Sequence, residues 1–354
     1  MNICSVYDVR KDKTAWSKAP ADVVNIISRF PNVVNKSYVT PSFTGFLSLQ
    51  LARLKRVFID FKLIHSAERR SVLILQLPGL FLSGGLGASL IAALHFLKKV
   101  KIIVIVHDLE CIRKKGLGCG PDVQLRAIIR WASVIVAHNE SMAGVLRDFG
   151  ARADRIVTLE IFDYLISDYN CYVQRPLTNS VAIAGNLNAN KAKYLCHLKE
   201  ITSVKWELFG NGYDQSKIQG TNIHYNGSFN PDELPKKLKQ SFGLVWDGDS
   251  IKSCSNRYGE YLRINNPHKL SLYLASGLPV IIWSQAAEAR FVEKNGLGIL
   301  VDSLADIDKQ LAVLTQERYS CYLKNVSAMS KKLREGYFLT NAMRGALDIV
   351  MKSA

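Results

Sequence analysis

The chain is organised around one stretch, Phe242 to Trp283, which begins FGLVWDGDS and ends NNPHKLSLYLASGLPVIIW. Residues 242–246 form an apolar run with valine and aromatic side chains, so they predict a buried strand. Two carboxylates, Asp247 and Asp249, follow at once in a glycine-containing sequence typical of a turn. The predicted strand therefore ends in an acidic turn.

A helix and a second strand follow the polar loop. Lys269 to Ser276 carries apolar residues at helical spacing, and Pro267 suits the first helical turn, where a missing N–H costs no hydrogen bond. Gly277 fits the position after the helix end, and Val280 to Trp283 predicts another buried strand. Strand, loop, helix and strand in this order form the unit of a parallel α/β sheet.

Such sheets bind their ligands at the carboxyl ends of the strands. The sequence places four polar side chains of this stretch on that edge: Asp247, Asp249, His268 and Lys269. We therefore expect a ligand-binding site along this edge.

These residues carry a resemblance to a known family. HKLSLYLASGLPVIIW, with NGLGILV at Asn295 to Val301, resembles the nucleotide-sugar half of bacterial glycosyltransferases with the GT-B fold. The longer run, FGLVWDGDS through SCSNRYGEYLRINNPHKLSLYL, is similar to β-1,6-galactofuranosyltransferases of O-antigen synthesis, within the glucosyltransferase-3-like group. Further elements occur in the order of this group: His107-Asp108, AGN at Ala184 to Asn186, NPDEL at Asn230 to Leu234 and LREGYF at Leu333 to Phe338. The resemblance thus covers most of the chain.

The resemblance implies a two-domain architecture. Alternating strands and helices over 354 residues already favour two α/β units. Under the GT-B fold these become two Rossmann-like domains facing across a cleft, residues 1–165 for the acceptor and residues 166–332 for the nucleotide sugar. Residues 333–354 are expected to form a helix that crosses back to the first domain.

The composition limits the possible binding partners and the cellular compartment of the protein. The net charge of +16 makes polyanions, phosphorylated ligands and anionic membrane surfaces candidate partners. An odd number of scattered cysteines is typical of reduced thiols, and none is spaced as in a zinc site. The start of the chain lacks a signal-peptide core, and no apolar run is long enough to span a membrane. We expect a cytoplasmic protein.

His107 and Asp108 follow the apolar run KIIVIV, residues 101–106, which predicts a buried strand. Both side chains titrate and would lie at the carboxyl end of that strand, so both are candidate general bases. The alternative is a structural or capping pair. Their place in the order of the family favours the catalytic interpretation, without deciding which of the two is the base.

A glycine turn follows the first predicted strand of the second half. Gly185 and Asn186 come after residues 180–184, and the sequence predicts that a helix carrying Lys191 begins there. Unpaired amides and the helix dipole at such a start bind anions, to which a lysine adds its charge. Phe229 precedes another expected helix start, where it either stacks on uracil or belongs to the core.

The resemblance implies that an acceptor hydroxyl displaces UDP from a UDP-sugar with inversion to a β-linkage. Lys191 and Lys269 would stabilise the leaving diphosphate, and Asp247 or Asp249 would bind ribose or sugar hydroxyls. Because cationic side chains and helix dipoles do this work, we expect no metal ion and no other cofactor.

The sequence departs from many GT-B enzymes in one respect. They place a glutamate for ribose just before the helix predicted here over Lys269 to Ser276, whereas this chain has no acid between Asn265 and Ser276. Glu260, in the preceding loop, is the substitute candidate.

One stretch suggests a membrane. Phe43 to Ile64 has apolar residues at helical spacing with basic residues between them, so it is either a core helix or a helix resting on anionic lipid. The lipid interpretation suits a lipid-linked glycan acceptor at the inner face of the cytoplasmic membrane. A homo-oligomer is compatible with the sequence, and no nucleic-acid partner is expected.

Alternatives stay open at this point. The donor is UDP-galactofuranose or UDP-glucose, the latter for transfer to a glycan or glycoprotein. The same fold also carries nucleotide-sugar epimerases and hydrolases, which need no acceptor. The charge suggests a non-enzymatic nucleic-acid-binding protein, although the basic residues are dispersed and no recognition motif is present.

Overall fold

The computed structural model describes residues 2–9, 15–39, 67–78, 85–167 and 175–352. The chain divides into two compact units, one containing Trp16–Leu159 and Leu339–Ala354, the other Glu160–Phe338. The stretch from Phe43 to Ile64, with its choice between core helix and lipid helix, lies outside the described residues. Among those residues, no helix is both long and apolar enough to cross a membrane.

The first unit is built on a sheet whose described strands are all parallel, in the order β2-β1-β3-β4-β5-β6. These strands are β1 (Ile3–Val9), β2 (Val33–Val39), β3 (Val72–Leu77), β4 (Lys101–Val106), β5 (Val134–Ala137) and β6 (Ile156–Thr158). The described helices between them are α1 (Ala15–Ile27), α2 (Gly85–Lys98), α3 (Glu110–Lys115), α4 (Val123–Trp131) and α5 (Glu140–Asp148). Strand β3 is wholly buried and β4 is buried after its first residue, as continuous apolar runs predict for a covered parallel sheet.

The second unit contains another sheet whose described strands are parallel, in the order β12-β11-β10-β7-β8-β9. Its strands are β7 (Ser180–Ala184), β8 (Lys205–Phe209), β9 (Ile223–Tyr225), β10 (Phe242–Val245), β11 (Val280–Trp283) and β12 (Gly298–Val301). Its α-helices are α6 (Leu234–Lys237), α7 (Asn256–Tyr261), α8 (His268–Ala275), α9 (Ala289–Lys294), α10 (Ile307–Ala312) and α11 (Gln316–Glu335), before α12 (Tyr337–Lys352) closes the chain.

The stretch from Phe242 to Trp283 folds as β10, α8 and β11, which confirms the predicted unit. Gly277 follows α8 with a left-handed φ of 78°. A Cβ on Gly243 would lie 2.2 Å from the ring of Tyr273, so glycine lets α8 pack directly on β10. The hydroxyl of Tyr273 accepts a hydrogen bond from the amide of Ala184 at 2.6 Å, which ties α8 to the end of β7.

The C-terminal segment differs from the single helix that the sequence predicts over residues 333–354. Helix α11 ends at Glu335, Gly336 takes a left-handed φ of 79°, and α12 begins at Tyr337. The physical reason is the glycine, which adopts this conformation without the steric cost that a side chain brings. Residues Leu339–Ala354 belong to the first unit, so the chain does return to it.

Candidate functional site

The acidic turn after β10 holds an ion pair. Lys269, in the first turn of α8, donates from Nζ to Asp247 Oδ1 at 3.1 Å and to the carbonyl oxygen of Trp246 at 2.9 Å. Both charged side chains are mostly buried, with 18% of Lys269 and 25% of Asp247 exposed. The sequence assigned these two residues to different parts of the ligand, whereas the structure joins them in one contact.

Gly248 shapes this turn. Its φ is 114°, and a Cβ there would lie 2.2 Å from the carbonyl oxygen of Ser255. Its own carbonyl oxygen accepts the amide of Tyr194 at 3.3 Å, which holds the turn close to the segment after β7. Asp249 is half-buried on the same turn and makes no hydrogen bond or ion pair with any described residue.

The segment after β7 does not form the predicted α-helix. Its asparagines make local turns instead: the side-chain oxygen of Asn186 accepts the amide of Asn188, and that of Asn188 accepts the amide of Asn190, each at 2.9 Å. Such contacts compete with helical hydrogen bonds, so regular structure begins only with a 3₁₀ helix over Lys193–Glu200. Lys191 therefore precedes the helix.

The amide of Gly185 is also not the anion donor that the sequence predicts. It donates to the carbonyl oxygen of Phe209 at 2.9 Å. A Cβ on Gly210 would lie 1.8 Å from the carbonyl oxygen of Gly185, so these two glycines bring the ends of β7 and β8 together. Gly185 and Asn186 are both exposed at this edge. Gly185 and Asn186 shape the backbone at this edge of the sheet. The N–H of Gly185 does not bind an anion, because it is already hydrogen-bonded to Phe209.

Lys191 is part of a cationic cluster that the sequence did not reveal. Its Nζ lies 5.3 Å from the ring centre of Tyr258, and Arg257 Cζ lies 4.9 Å from the same ring. Arg257 Nη2 also donates to the hydroxyl of Tyr258 at 3.2 Å. Two cations held around one aromatic ring, on connections that leave the carboxyl ends of β7 and β10, can bind a diphosphate. We call Lys191, Arg257 and Tyr258 the cationic cluster.

His268 and Phe229 lie in aromatic surroundings. The imidazole of His268 lies 5.0 Å from the ring of Tyr164 and 6.2 Å from that of Phe162, between ring centres. Phe229 follows the carboxyl end of β9 and is half-buried; the ring of Phe209 lies 6.4 Å away and Lys237 Nζ 5.4 Å away. Both residues stay candidates for ligand contact at this edge.

Glu260, the substitute candidate for the missing ribose glutamate, forms an ion pair with Arg263. Its carboxylate accepts from Arg263 Nε at 2.7 Å. The guanidinium of Arg263 lies 4.6 Å from the ring centre of Trp283, at the end of β11. The indole N–H of Trp283 is buried and donates to no described residue. A buried donor of this kind is costly unless something accepts from it, so Trp283 is a further candidate for ligand hydroxyls.

In the first unit, the end of β4 brings His107 and Asp108 to the carboxyl edge, as predicted. His107 Nε2 lies 2.6 Å from Gln76 Oε1, at the end of the neighbouring strand β3. Burial lowers the pKa of His107 to about 4, so its imidazole is uncharged at neutral pH. One ring nitrogen of His107 is thus already bonded.

His138, which has no recognisable signal in the sequence, holds the turn that carries His107 and Asp108. It is buried directly after β5, and backbone groups of Val106 and His107 hydrogen-bond to its ring. Burial lowers the pKa of His138 to about 3, with a smaller contribution from the nearby His107. A neutral histidine therefore positions the backbone that carries His107 and Asp108.

Asp108 is the member of the pair that lines a pocket. Its side chain is 19% exposed, and Arg113 Nε lies 3.8 Å from Asp108 Oδ2. Arg113 also pairs with Glu110. Asp108 lines a small pocket whose other walls are Leu77, Leu109, Glu110, Cys111, Asp122, Gln124 and Leu125. Of the two candidate bases, Asp108 therefore presents its carboxylate to a cavity.

Two parallel α/β units of this topology, with polar groups gathered at the carboxyl edges of their sheets, have the GT-B fold, as the sequence predicts. The solved structure of Anabaena Alr3699/HepE in complex with UDP and glucose matches the whole chain and 99% of its own, with a TM-score of 0.61 and 12% identity.

Comparison with models of protein families shows the family to which the chain belongs. Residues 2–161 match the model of the glucosyltransferase 3-like N-terminal domain, and residues 181–346 match that of the C-terminal domain. The chain belongs to the glucosyltransferase 3-like family, which confirms the resemblance.

Two curated relatives are informative. The β-1,6-galactofuranosyltransferase WbbI of Escherichia coli K12 is 30% identical over 95% of this chain and 95% of its own. Glucosyltransferase 3 of Streptococcus parasanguinis is 28% identical over 68% of each chain.

Proposed function

We propose that this glycosyltransferase moves galactofuranose from UDP-galactofuranose to a sugar hydroxyl of a glycan, with inversion to a β-linkage in surface polysaccharide synthesis. The observation that carries the proposal is the similarity to WbbI, a β-1,6-galactofuranosyltransferase, across 95% of both chains. The UDP part is supported by a solved neighbour that holds UDP and glucose. A basic chain of net charge +16 suits a phosphorylated donor.

Each candidate group has its own role in the proposed reaction. Asp108 takes the proton of the acceptor hydroxyl, whose oxygen forms the new bond to the anomeric carbon. The bond from that carbon to the diphosphate breaks, and its electron pair leaves with UDP. Lys269 and the cationic cluster stabilise the negative charge that grows on the diphosphate. Phe229 offers a face for uracil, and Asp249 and Trp283 offer groups for ribose or sugar hydroxyls.

Glucose is the second candidate donor sugar, because Glucosyltransferase 3 of S. parasanguinis shares 28% identity over 68% of the chain. A panel of UDP-galactofuranose, UDP-glucose and UDP-galactose, each incubated with a synthetic glycosyl acceptor, separates the donors by mass spectrometry. We expect a product with UDP-galactofuranose and little with the others. Preferred transfer from UDP-glucose would overturn the donor assignment, and acceptor-independent release of UDP would indicate a hydrolase or epimerase.

We further propose that the acceptor is lipid-linked and that the enzyme works peripherally at the inner face of the cytoplasmic membrane. Support comes from the basic charge, which attracts the chain to anionic lipid headgroups. A homo-oligomer is compatible with this arrangement, and no nucleic acid takes part in it.

Transfer is expected to continue in excess EDTA. The reason is that Asp247, the first carboxylate of the DGD turn, is neutralised by Lys269 at 3.1 Å, so the turn already holds a cation. The measurement is the initial rate with and without chelator, followed by addition of manganese. Complete loss of activity that manganese restores would contradict metal-independent transfer and make Asp247 and Asp249 metal ligands.

A further inference from the structure

An exposed apolar patch lies at the amino edge of the first sheet, opposite the carboxyl edge that carries Asp108. Phe96 and Leu97, in the last turn of α2, are 60% and 71% exposed. The ring of Phe96 meets Trp131, at the end of α4, edge-on with 4.7 Å between ring centres, and His95 lies 5.6 Å from Trp131. We call His95, Phe96, Leu97 and Trp131 the apolar patch.

Basic residues surround this patch. The described segments that lead into β2 to β6 meet at the amino edge of the sheet, because its strands are parallel. Within residues 28–32, 67–71, 98–101, 130–133 and 152–155 these segments carry nine basic side chains and only two acidic ones, Glu68 and Asp154. The basic ones, which we call the basic rim, are Arg29, Arg69, Arg70, Lys98, Lys99, Lys101, Arg130, Arg152 and Arg155.

Of the two acids, only Asp154 forms an ion pair with a described cation of the rim. Glu68 accepts a hydrogen bond from Asn2, and Asp154 pairs with Arg152. Among the described residues, no ion pair joins an acid to any of the exposed cations nearest the patch, Arg69, Arg70, Lys99 and Arg130. The amide of Arg70 donates to the carbonyl oxygen of Lys98, which places the two turns side by side. Arg130 lies over the ring of Trp131 at 4.9 Å.

We propose that this edge docks the enzyme on an anionic phospholipid bilayer, with the apolar patch in the interface and the basic rim on the headgroups. Aromatic and aliphatic side chains ringed by lysine and arginine bind such surfaces through buried apolar area and electrostatic attraction. The inference rests on the proposed function, in which the acceptor is lipid-linked. Docking here leaves Asp108 accessible, because it follows the carboxyl end of β4 and the patch lies at the amino edge.

A second copy of the chain is the rival occupant of the patch. A two-fold interface would set the basic rim of one copy against the same rim of the other. Like charges facing each other oppose association, whereas anionic lipid complements them. The charges therefore favour the bilayer.

The test is flotation of the full chain with vesicles of phosphatidylcholine, with and without phosphatidylglycerol. We expect binding that needs phosphatidylglycerol and weakens with salt. Replacing both exposed residues, Phe96→Ser with Leu97→Ser, is expected to lower the partition coefficient about tenfold or more, because two large side chains no longer enter the interface. Val313→Ser, which changes a residue 69% exposed in the second unit, is the matched control and should bind as wild type does.

Equal vesicle binding by wild type and the Phe96→Ser, Leu97→Ser variant would overturn the proposal. So would a wild-type dimer that ignores vesicles and dissociates in that variant. Transfer to a short water-soluble acceptor should be unchanged in the variant, since neither residue lies near Asp108. Wild type that binds vesicles through this patch yet transfers no sugar would support the docking surface and overturn only the proposed activity.

Discussion

Replacement of Asp108 by asparagine is expected to slow sugar transfer by about 10²–10⁴-fold, the range typical of a lost general base. Asparagine keeps the shape of the side chain and removes its basicity. The pocket at Asp108 should therefore persist, and UDP should bind as it does to wild type. Single-turnover rates, with UDP affinity measured separately, distinguish these two effects.

Asp122→Asn is the matched control for this experiment. Asp122 lines the same pocket and caps α4 by accepting the amide of Leu125 at 2.8 Å. Asparagine caps a helix as well as aspartate does, so this variant should fold and transfer sugar at nearly the wild-type rate. Comparison of the two variants shows whether the slower transfer comes from loss of the base at position 108 or from loss of any negative charge in the pocket.

The result that would contradict Asp108 as the base concerns His107. Its imidazole is bonded to Gln76 at 2.6 Å and its pKa is lowered to about 4, which suits a group that orients the turn. If His107→Ala were the worse lesion and Asp108→Asn retained activity, His107 would be the base. A product with retained α configuration would end the inverting mechanism, and with it the role of either residue as its base.

The strands that position the site were predictable because their signals are strong and local. KIIVIV forms β4 over the residues that the sequence predicts, since a fully buried parallel strand needs an uninterrupted apolar run. Helix α8 lies between Pro267 and Gly277, two residues whose backbone restrictions mark helix ends. Once the ends of the strands are predicted, the polar residues that follow them are placed at the carboxyl edges of the sheets.

Contacts between distant residues were not predictable in the same way. Asp247 and Lys269 were both placed on the ligand edge, but their ion pair depends on how α8 returns against β10. His138 was passed over because a histidine after a short strand has no local signature, and its bonds to the backbone of residues 106–107 arise only when β4 and β5 pair.

The predicted helix after β7 does not form, because local hydrogen bonds compete with it. Gly185 and Lys191 have the spacing of an anion-binding helix start, yet the asparagines between them prefer turns closed by their own side chains. The cationic cluster was missed because α7, which carries Arg257 and Tyr258, is only six residues long and shows no apolar period. Short helices at a sheet edge leave few traces in a sequence.

Replacement of Lys269 by alanine is expected to lower the rate of transfer by about 10²-fold or more, as loss of a preorganised charge does in other enzymes. The ammonium group has three N–H bonds, and two of them are accounted for by Trp246 and Asp247. These contacts hold the group in place, and the third N–H is left for a phosphate oxygen. Lys191→Ala should have a similar but milder effect, because Arg257 shares the cationic cluster.

Two further variants separate catalysis from folding. Lys269→Ala leaves Asp247 without its partner, so the double variant Lys269→Ala, Asp247→Asn removes the uncompensated charge and should recover stability but not activity. Lys252→Ala removes an exposed lysine from the loop after β10, which also contains Asp247, and should change the rate little. Unfolding curves measured beside the rates identify any loss caused by misfolding. Near-normal turnover in a folded Lys269→Ala protein would exclude Lys269 from stabilising the leaving diphosphate, and that charge would then fall to the cationic cluster alone.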